Sequence, residues 1–156
     1  MDYSALRIIR PKQWYKNFLI FIPIIGSLNI TDVNSILISC LGFGILCMSS
    51  SGTYILNDLI DFKKDSLHPR KKQRPIPSGK ISKNQAIVFL IALLGLSEVF
   101  SLFLNYELFL LNSILIASVV IYSIKIKNLF LMDVLAIAGN YVIRAMCGAY
   151  LIDVKI

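Results

Sequence analysis

Long apolar runs separated by short polar segments set the pattern of this chain. Such runs predict helices that cross a membrane, because about 20 apolar residues, each rising about 1.5 Å, match a hydrocarbon core of about 30 Å. We expect five spans, at about residues 17–30, 34–56, 85–104, 108–124 and 130–152. The first is short and contains Pro23, so it should be tilted or kinked. The pattern predicts an all-α fold, a polytopic transmembrane helix bundle of about five spans.

Small and polar residues inside the apolar runs mark faces that should contact protein or a cavity instead of lipid. Small residues in the second span suit close packing or a polar cavity. They are Gly42, Gly44, Ser49, Ser50, Ser51, Gly52 and Thr53. Glu98, Asp133 and Arg144 are ionisable residues within spans, where charge is costly and usually faces a cavity or a partner. For Arg144 we expect a carboxylate partner, although Asp133 lies too far along the same helix for direct contact without bridging groups.

Composition and charge support a membrane protein and give its orientation. The 156 residues are 56% hydrophobic, with a mean hydropathy of +0.71, which is too apolar for an ordinary soluble domain. The net charge of +7 does not indicate a nucleic-acid partner, because 14 of the 16 Lys and Arg residues lie in three polar segments on one predicted side. These are the N-terminal segment, 62–83 and 125–128. Such a bias places that side in the cytoplasm, so we expect a multi-pass protein of the cell (inner) membrane.

An acidic block at the end of the second span is the main candidate for chemistry. Asp58, Asp61 and Asp65 are spaced to share one face of a helix, with Asn57 one turn before Asp61. Carboxylates crowded at the negative end of a helix favour a hard cation such as Mg²⁺. A basic run suited to phosphate follows, and it contains Arg70, Lys71, Lys72, Arg74, Lys80 and Lys83. Spacing alone also fits a solvated loop of mixed charge, in which Lys63 and Lys64 offset the acids.

Residues in other segments complete the candidate site and have alternative explanations. Lys12 and Lys16 suit phosphate binding and membrane-interface anchoring equally well. Lys125 and Lys127 can reach a diphosphate from the next cytoplasmic loop, yet the charge bias by itself explains them. Tyr122 suits either a cavity wall or the aromatic belt.

The acidic block, Asn57-Asp58-x-x-Asp61-x-x-x-Asp65, resembles the first aspartate-rich motif of the UbiA-type intramembrane prenyltransferase superfamily. Further blocks, in the right order along nearly the whole chain, resemble its decaprenyl-phosphate phosphoribosyltransferase branch. These blocks are Arg10-Pro11-Lys12-Gln13-Trp14-x-Lys16-Asn17, His68-Pro69-x-Lys71-x-x-Arg74-Pro75-Ile76-x-Ser78-Gly79, Tyr122-Ser123-x-Lys125-x-Lys127, and the stretch from Asp133 through Arg144 to Gly148.

The resemblance implies transfer of 5-phosphoribose from 5-phosphoribosyl 1-diphosphate to a polyprenyl (decaprenyl) phosphate, with release of diphosphate. It implies that Asp58, Asp61 and Asp65 are catalytic and hold Mg²⁺, which neutralises the leaving diphosphate. The implied substrate-binding residues are Asn57, Lys12, Lys16, Arg70, Lys71, Arg74, Tyr122, Lys125, Lys127 and Arg144. The lipid phosphate is already an anion, so the reaction requires no strong general base.

The chain departs from the superfamily in its length. Members have about nine membrane helices and a second aspartate-rich motif, whereas this sequence supplies five predicted spans and no second motif. We therefore expect residues 1–156 to be the N-terminal part of one membrane-embedded transferase domain, with 57–83 as its cytoplasmic active-site loop. Without the missing C-terminal half or a partner chain, this part should be inactive.

Two other functions remain open on the sequence. One is a prenyltransferase of the same superfamily that moves a polyprenyl chain from its diphosphate onto an aromatic acceptor. The other is a non-catalytic, ion-binding membrane subunit or transporter fragment. The basic loop and the Arg10 to Asn17 block favour phosphoribosyl transfer over prenyl transfer. The non-catalytic protein is distinguished because it need not bind a phosphorylated ligand together with the metal.

Overall fold

A computed structural model describes residues 7–126 and 130–154, except for the side chains of Asn29 and Phe130. In these residues all the regular structure is helical. The elements in chain order are a 3₁₀ helix Pro11–Phe21, α1 Ile22–Gly26, a 3₁₀ turn Asn29–Thr31, α2 Val33–Ile60, α3 Phe62–Leu67, a 3₁₀ turn Lys71–Gln73, α4 Lys83–Leu104, α5 Tyr106–Ile124 and α6 Phe130–Leu151. The all-α prediction is confirmed.

Four helices are long and apolar enough to cross a membrane, and they match the second to fifth predicted spans. They are α2, α4, α5 and the part of α6 from Leu131. The predicted first span, 17–30, is not among these four helices. That part of the chain is divided among the 3₁₀ helix Pro11–Phe21, the five residues of α1 and the 3₁₀ turn Asn29–Thr31. Pro23 lies in the first turn of α1, where its missing N–H costs no helical hydrogen bond, so the helix type changes at that point.

The N-terminal 3₁₀ helix packs antiparallel along α2 through every third residue. Trp14 Nε1 donates to Ser51 Oγ at 3.1 Å, and Asn17 Nδ2 donates to Cys47 Sγ at 3.4 Å, one turn earlier in α2. Ile20, three residues further, is fully buried in the core. A 3₁₀ helix repeats every three residues, so these side chains form one line toward α2.

Close approaches at glycines hold the bundle together. A Cβ placed on Gly148 would lie 2.8 Å from the carbonyl carbon of Ile20 and 3.2 Å from its Cα, so α6 meets the 3₁₀ helix backbone directly. At Gly42 a Cβ would lie 2.9 Å from Ile20 Cδ1, and at Gly52 it would lie 2.5 Å from Leu94 Cδ2. The predicted close packing is confirmed for Gly42 and Gly52, whereas Gly44 has no such neighbour.

Capping residues fix where the helices begin. The Asp32 side chain accepts from the backbone N–H of Asn34 and Ser35 at the start of α2. Ser82 and Gln85 form a reciprocal capping box at the start of α4. Asn105 ends α4 and caps α5, so a single residue joins these two antiparallel helices.

A buried polar network explains the embedded carboxylate Glu98, which lies on α4. One Glu98 oxygen accepts from Asn112 Nδ2 at 2.9 Å, and the other accepts from Ser113 Oγ at 2.7 Å. Asn112 Oδ1 in turn accepts from Ser49 Oγ at 2.7 Å. The network joins α2, α4 and α5, so Glu98 faces protein partners as its depth in the membrane requires.

An apolar cluster at one end of the bundle orders the polar segment between α2 and α4. Ile76 and Ile81 from this segment are buried against Ile55 of α2, Ala86 of α4 and Ile8 near the N-terminus. The cluster brings the N-terminal segment, the end of α2 and the loop to one end of the bundle.

Candidate phosphate and metal site

Two carboxylates of the acidic block meet at one guanidinium group. Arg74 Nη1 lies 2.9 Å from Asp58 Oδ1 and 2.5 Å from Asp65 Oδ2. Both carboxylates are almost fully buried, with 1% of each residue exposed. Arg10 also pairs with Asp58, and Lys71 Nζ lies 3.7 Å from Asp65. The buried acids are thus compensated by cations from the N-terminal segment and the loop, as buried charge requires.

The acidic block does not follow one continuous helical face. Helix α2 ends at Ile60, and Asp61 forms the junction between α2 and α3 with φ −85° and ψ 3°. Asp61 is partly exposed, as is Asn57 in the last turn of α2. Across the described residues, no three His, Cys, Asp or Glu side chains form a group that would hold a metal ion by itself.

The chemistry and geometry of the acidic block nevertheless fit a divalent cation bound together with phosphate. A single cationic nitrogen, Nη1 of Arg74, already bridges Asp58 and Asp65 at 2.9 and 2.5 Å. Mg²⁺ binds oxygen at about 2.1 Å and uses only one or two carboxylates when phosphate completes its shell. Asp58 and Asp65 therefore supply carboxylate oxygens of the kind that this ion binds, and Asp61 and Asn57 add oxygen-bearing side chains to the same stretch of chain.

Arg10 belongs to this site, although the sequence predicted it only as part of the Arg10 to Asn17 block and suggested no role for its side chain. Its backbone has φ 49°, in the left-handed region that side-chain-bearing residues rarely adopt, directly before the 3₁₀ helix. Its guanidinium pairs with Asp58 and lies 5.2 Å from the ring centre of Tyr54. Tyr54 is one helical turn before Asp58, and that spacing is the signal that places both on one face of α2.

Four arginines line a cavity beside the acidic block. The cavity, of about 280 Å³, lies between the N-terminal segment and the loop. Its lining consists of Arg7, Arg10, Arg70, Gln73, Arg74 and Pro75. His68 shapes the turn that carries two of the basic residues, because its Nδ1 accepts from the backbone N–H of Arg70 at 3.2 Å and of Lys71 at 3.3 Å. His68 therefore shapes this turn of the loop.

A second cleft, of about 330 Å³, lies deeper between the 3₁₀ helix, α2, α5 and α6. Its walls are formed by Lys16, Ser50, Thr53, Tyr54, Val119, Tyr122, Ile137, Asn140, Tyr141 and Arg144. Arg144 Nε donates to Asn17 Oδ1 at 2.9 Å, and Nη1 donates to the Asn140 carbonyl oxygen at 2.7 Å. The prediction that Arg144 faces a cavity is confirmed.

The partner expected for Arg144 was wrong. Among the described ion pairs none involves Arg144, and amide oxygens of Asn17 and Asn140 take the place of a carboxylate. Asp133 lies about three turns away on α6 and accepts instead from Tyr122, which also lines the cleft. Neutral oxygens leave the positive charge of Arg144 uncompensated, so the cleft can attract an anion.

The remaining predicted residues are distributed around the cleft and the membrane surface. Lys16 lines the cleft, and its Nζ lies 3.5 Å from the Tyr54 hydroxyl. Tyr54 therefore contacts both the cleft and Arg10, which pairs with Asp58. Lys12 and Lys125 are exposed, and neither lines the cleft. Lys127 lies outside the described residues.

Comparison with known proteins identifies the relatives of this chain. The chain is 31% identical over 140 residues to the nodulation protein NoeC of Azorhizobium caulinodans, covering 90% of this chain and 45% of the relative. It is 27% identical over 157 residues to the decaprenyl-phosphate phosphoribosyltransferase of Mycolicibacterium smegmatis, covering 98% and 49%. A solved structure of a UbiA homologue from Archaeoglobus fulgidus, bound to GPP and Mg²⁺, superposes with a TM-score of 0.77 at 24% identity, covering 98% of this chain and 55% of that one.

The chain spans about half the length of the curated relatives that it matches. The family model for UbiA prenyltransferases matches residues 20–156, which include all four long helices and the acidic block. This chain is a multi-pass membrane protein that belongs to the UbiA prenyltransferase family.

Proposed function

We propose that this chain supplies the phosphate-binding sites of a transferase that moves 5-phosphoribose from 5-phosphoribosyl 1-diphosphate to a polyprenyl phosphate. One observation carries the proposal: the buried pair Asp58 and Asp65, bridged by Arg74, lies next to a cleft lined by Lys16 and Arg144. Tyr54 connects the two through its contacts with Arg10 and Lys16. A carboxylate pair suited to a metal and a cationic cleft suited to an anion are the parts that two phosphorylated substrates require. The sequence similarity to a decaprenyl-phosphate phosphoribosyltransferase supports this substrate pair.

The donor diphosphate belongs at the acidic block. Asp58 and Asp65, with Asp61 and Asn57, are the residues that would hold Mg²⁺, and that ion would neutralise charge on the leaving diphosphate. Arg74 and Lys71 both pair with Asp65, so they stand where they would also contact diphosphate oxygens if Mg²⁺ were held by the acids. Arg10 contributes a further cation from the N-terminal segment.

The acceptor phosphate belongs in the deeper cleft. Arg144 is oriented there by Asn17 and Asn140, and its charge is not cancelled by a carboxylate. With Lys16 it can hold a lipid phosphate so that one phosphate oxygen attacks C1 of the ribose while the bond from C1 to diphosphate breaks. No proton has to be removed from the attacking oxygen, so positioning and charge stabilisation supply the catalysis.

The membrane orientation follows from the charge distribution. The N-terminal segment and the loop before α4 meet at one end of the bundle and carry most of the cations. We propose that this end faces the cytoplasm at the cell (inner) membrane, where the soluble sugar diphosphate and Mg²⁺ are present.

Prenyl transfer to an aromatic acceptor is the second candidate, and the family description favours it. It would use the same metal and diphosphate site, but its acceptor carries no phosphate. A lipid phosphate would present a phosphate group to Arg144, whereas an aromatic acceptor such as 4-hydroxybenzoate would present a singly charged carboxylate. A non-catalytic ion-binding subunit would bind the metal without needing a phosphorylated ligand.

The test is a transfer assay in membranes that contain this chain together with a C-terminal half similar to that of its longer relatives. Mg²⁺, polyprenyl phosphate and ribose-labelled 5-phosphoribosyl 1-diphosphate are supplied, and lipid-extractable label is counted. We expect labelled lipid, and a loss of at least about a hundredfold with Asp58→Asn, because support for the leaving group is worth several kcal/mol. Asp153→Asn, the same change at an exposed residue, is the matched control.

Near-normal rates for Asp58→Asn at saturating Mg²⁺ would contradict the assigned site. Label transfer from a prenyl diphosphate to 4-hydroxybenzoate, without transfer of phosphoribose, would support the second candidate. We expect no turnover from residues 1–156 alone, because helices of a second half must complete the site. Steady product from them would refute that requirement.

A further inference from the structure

We propose that the cavity lined by Arg7, Arg10, Arg70 and Arg74 binds a phosphate monoester, the 5-phosphate of the phosphoribosyl donor. The inference rests on the proposed function and deepens it, because it assigns the second phosphate of the donor to a pocket separate from the diphosphate site. Arg7 thereby becomes a substrate-binding residue, and the pocket becomes the feature that selects a sugar phosphate over a prenyl group.

Charge is the first support for this assignment. The ion pairs of the buried carboxylates Asp58 and Asp65 are made by Arg10, Arg74 and Lys71. None of these ion pairs uses Arg7 or Arg70, although both line the cavity and are exposed to it. Four guanidinium groups facing one small volume repel each other, and a doubly charged phosphate relieves that repulsion.

The type of cation is the second support. Arginine presents a planar fork of donors that matches phosphate oxygens in pairs, whereas lysine acts as a point charge. The lysines of the loop, including Lys72 and Lys80, do not line this cavity. The pocket therefore contains the cations best suited to phosphate, two from the N-terminal segment and two from the loop.

The position of the cavity identifies the ligand. Arg10 and Arg74 belong to the cavity wall and also contact Asp58, so the cavity adjoins the place proposed for the diphosphate. A ligand that fills both sites needs a diphosphate group and a phosphate monoester joined by a short polar spacer. A phosphoribosyl diphosphate has this arrangement, whereas a prenyl diphosphate has only a hydrocarbon beyond its diphosphate. A volume of about 280 Å³ is sufficient for a phosphate and part of a ribose ring.

A phospholipid headgroup also carries a phosphate. It is a competing ligand because the pocket lies at the end of the bundle, where headgroups lie. The sugar phosphate is favoured because the pocket shares two arginines with the diphosphate site, and a headgroup has no need of that proximity. The experiment below separates the two sources.

Ligand binding to residues 1–156 in detergent provides the test. The probes are 5-phosphoribosyl 1-diphosphate and inorganic diphosphate, each with Mg²⁺, and the variants are Arg7→Gln, Arg70→Gln and both together. We expect the double variant to raise the Kd of the sugar diphosphate at least about tenfold and to leave that of inorganic diphosphate within about twofold. Lys72→Gln, which removes a charge from the same loop outside the pocket, should change neither value. Unchanged diphosphate binding also proves that the variants are folded.

Two results would overturn the inference and leave the proposed function intact. An equal loss for both probes would mean that the arginines act only through the general field, and no loss for either would mean that they do not bind the ligand. In nanodiscs with and without phosphatidylglycerol, variants that lose only the binding of this lipid would identify a headgroup site instead. If the wild-type chain binds a prenyl diphosphate and not the sugar diphosphate, the proposed function fails together with the inference.

Discussion

Replacing Gly148 by Ala should separate the N-terminal 3₁₀ helix from α6. The new Cβ would lie 2.8 Å from the carbonyl carbon of Ile20 and 3.2 Å from its Cα, where carbon atoms normally stay about 3.5–4.0 Å apart. To relieve this clash the two helices must move apart by about 1 Å, because the atoms in the way are backbone atoms of Ile20 that cannot rotate aside. The hydrogen bond of 2.9 Å between Arg144 and Asn17 joins the same two elements and would be stretched beyond hydrogen-bonding distance.

The expected loss of stability combines three effects, whose simple sum would be about 1.5–5 kcal/mol. Overpacking costs about 1–3 kcal/mol, and a lost hydrogen bond to a charged group costs about 1.5–3 kcal/mol. Alanine returns about 1 kcal/mol because it favours a helix more than glycine does. Gly148→Ala should therefore lower the free energy of unfolding by roughly 2–4 kcal/mol, given that such effects are not fully additive.

Gly139→Ala is the matched control, because it makes the same change in the same helix where no atom lies within 4 Å of the added Cβ. It should be neutral or stabilising by up to about 1 kcal/mol. Unfolding by SDS in mixed micelles can be followed by the fluorescence of Trp14, the single tryptophan, which lies on the displaced 3₁₀ helix. If both variants unfold at the same SDS fraction, the described contact between Gly148 and Ile20 does not limit the packing.

Three further predictions concern the buried network, the topology and a helix cap. Glu98→Gln removes the charge that accepts from Asn112 and Ser113 and leaves weaker, neutral hydrogen bonds, so it should cost about 1–3 kcal/mol in SDS unfolding. The same change at the exposed Glu107, in the first turn of α5, should cost only about 0.3 kcal/mol. A cysteine placed at Lys72, in a background without native cysteines, should resist impermeant maleimide in intact cells, and labelling would reverse the orientation. Hydrogen bonds from the Ser35 hydroxyl and backbone N–H lower the pKa of Asp32, so its stabilising contribution holds above about pH 4 and declines as acid protonates the carboxylate. Asp32→Asn should remove that decline from the pH dependence of thermal unfolding. An unchanged pH profile would contradict the cap.

Hydropathy was sufficient to locate the long helices, because their boundaries are set by local signals. Turn and cap residues such as Ser82 and Asn105 stand where the apolar runs begin and end, so the predicted limits of α4 and α5 differ from the observed ones by about two residues. The N-terminal helical segment was harder to predict, because a pattern of apolar residues does not distinguish a 3₁₀ helix from an α-helix. Only the packing of Asn17 and Ile20 against α2 reveals the repeat of three.

The candidate site was predictable in its acids and much less so in their partners. The acidic block stands out by its spacing, yet Arg10 reaches Asp58 across 48 positions and Arg144 reaches Asn17 across 127. Contacts so distant in sequence are created by the helix packing, which no local pattern encodes. Glu98 had no explanation until α5 brought Asn112 and its neighbouring serine to it.

The 3₁₀ helix Pro11–Phe21 also changes how far a short segment reaches. At about 2.0 Å per residue its 11 residues extend about 22 Å, and the five residues of α1 add about 7.5 Å. The same 16 residues in a single α-helix would extend only about 24 Å. The 3₁₀ geometry therefore lets this short segment follow α2 over a longer distance than an α-helix of equal length would.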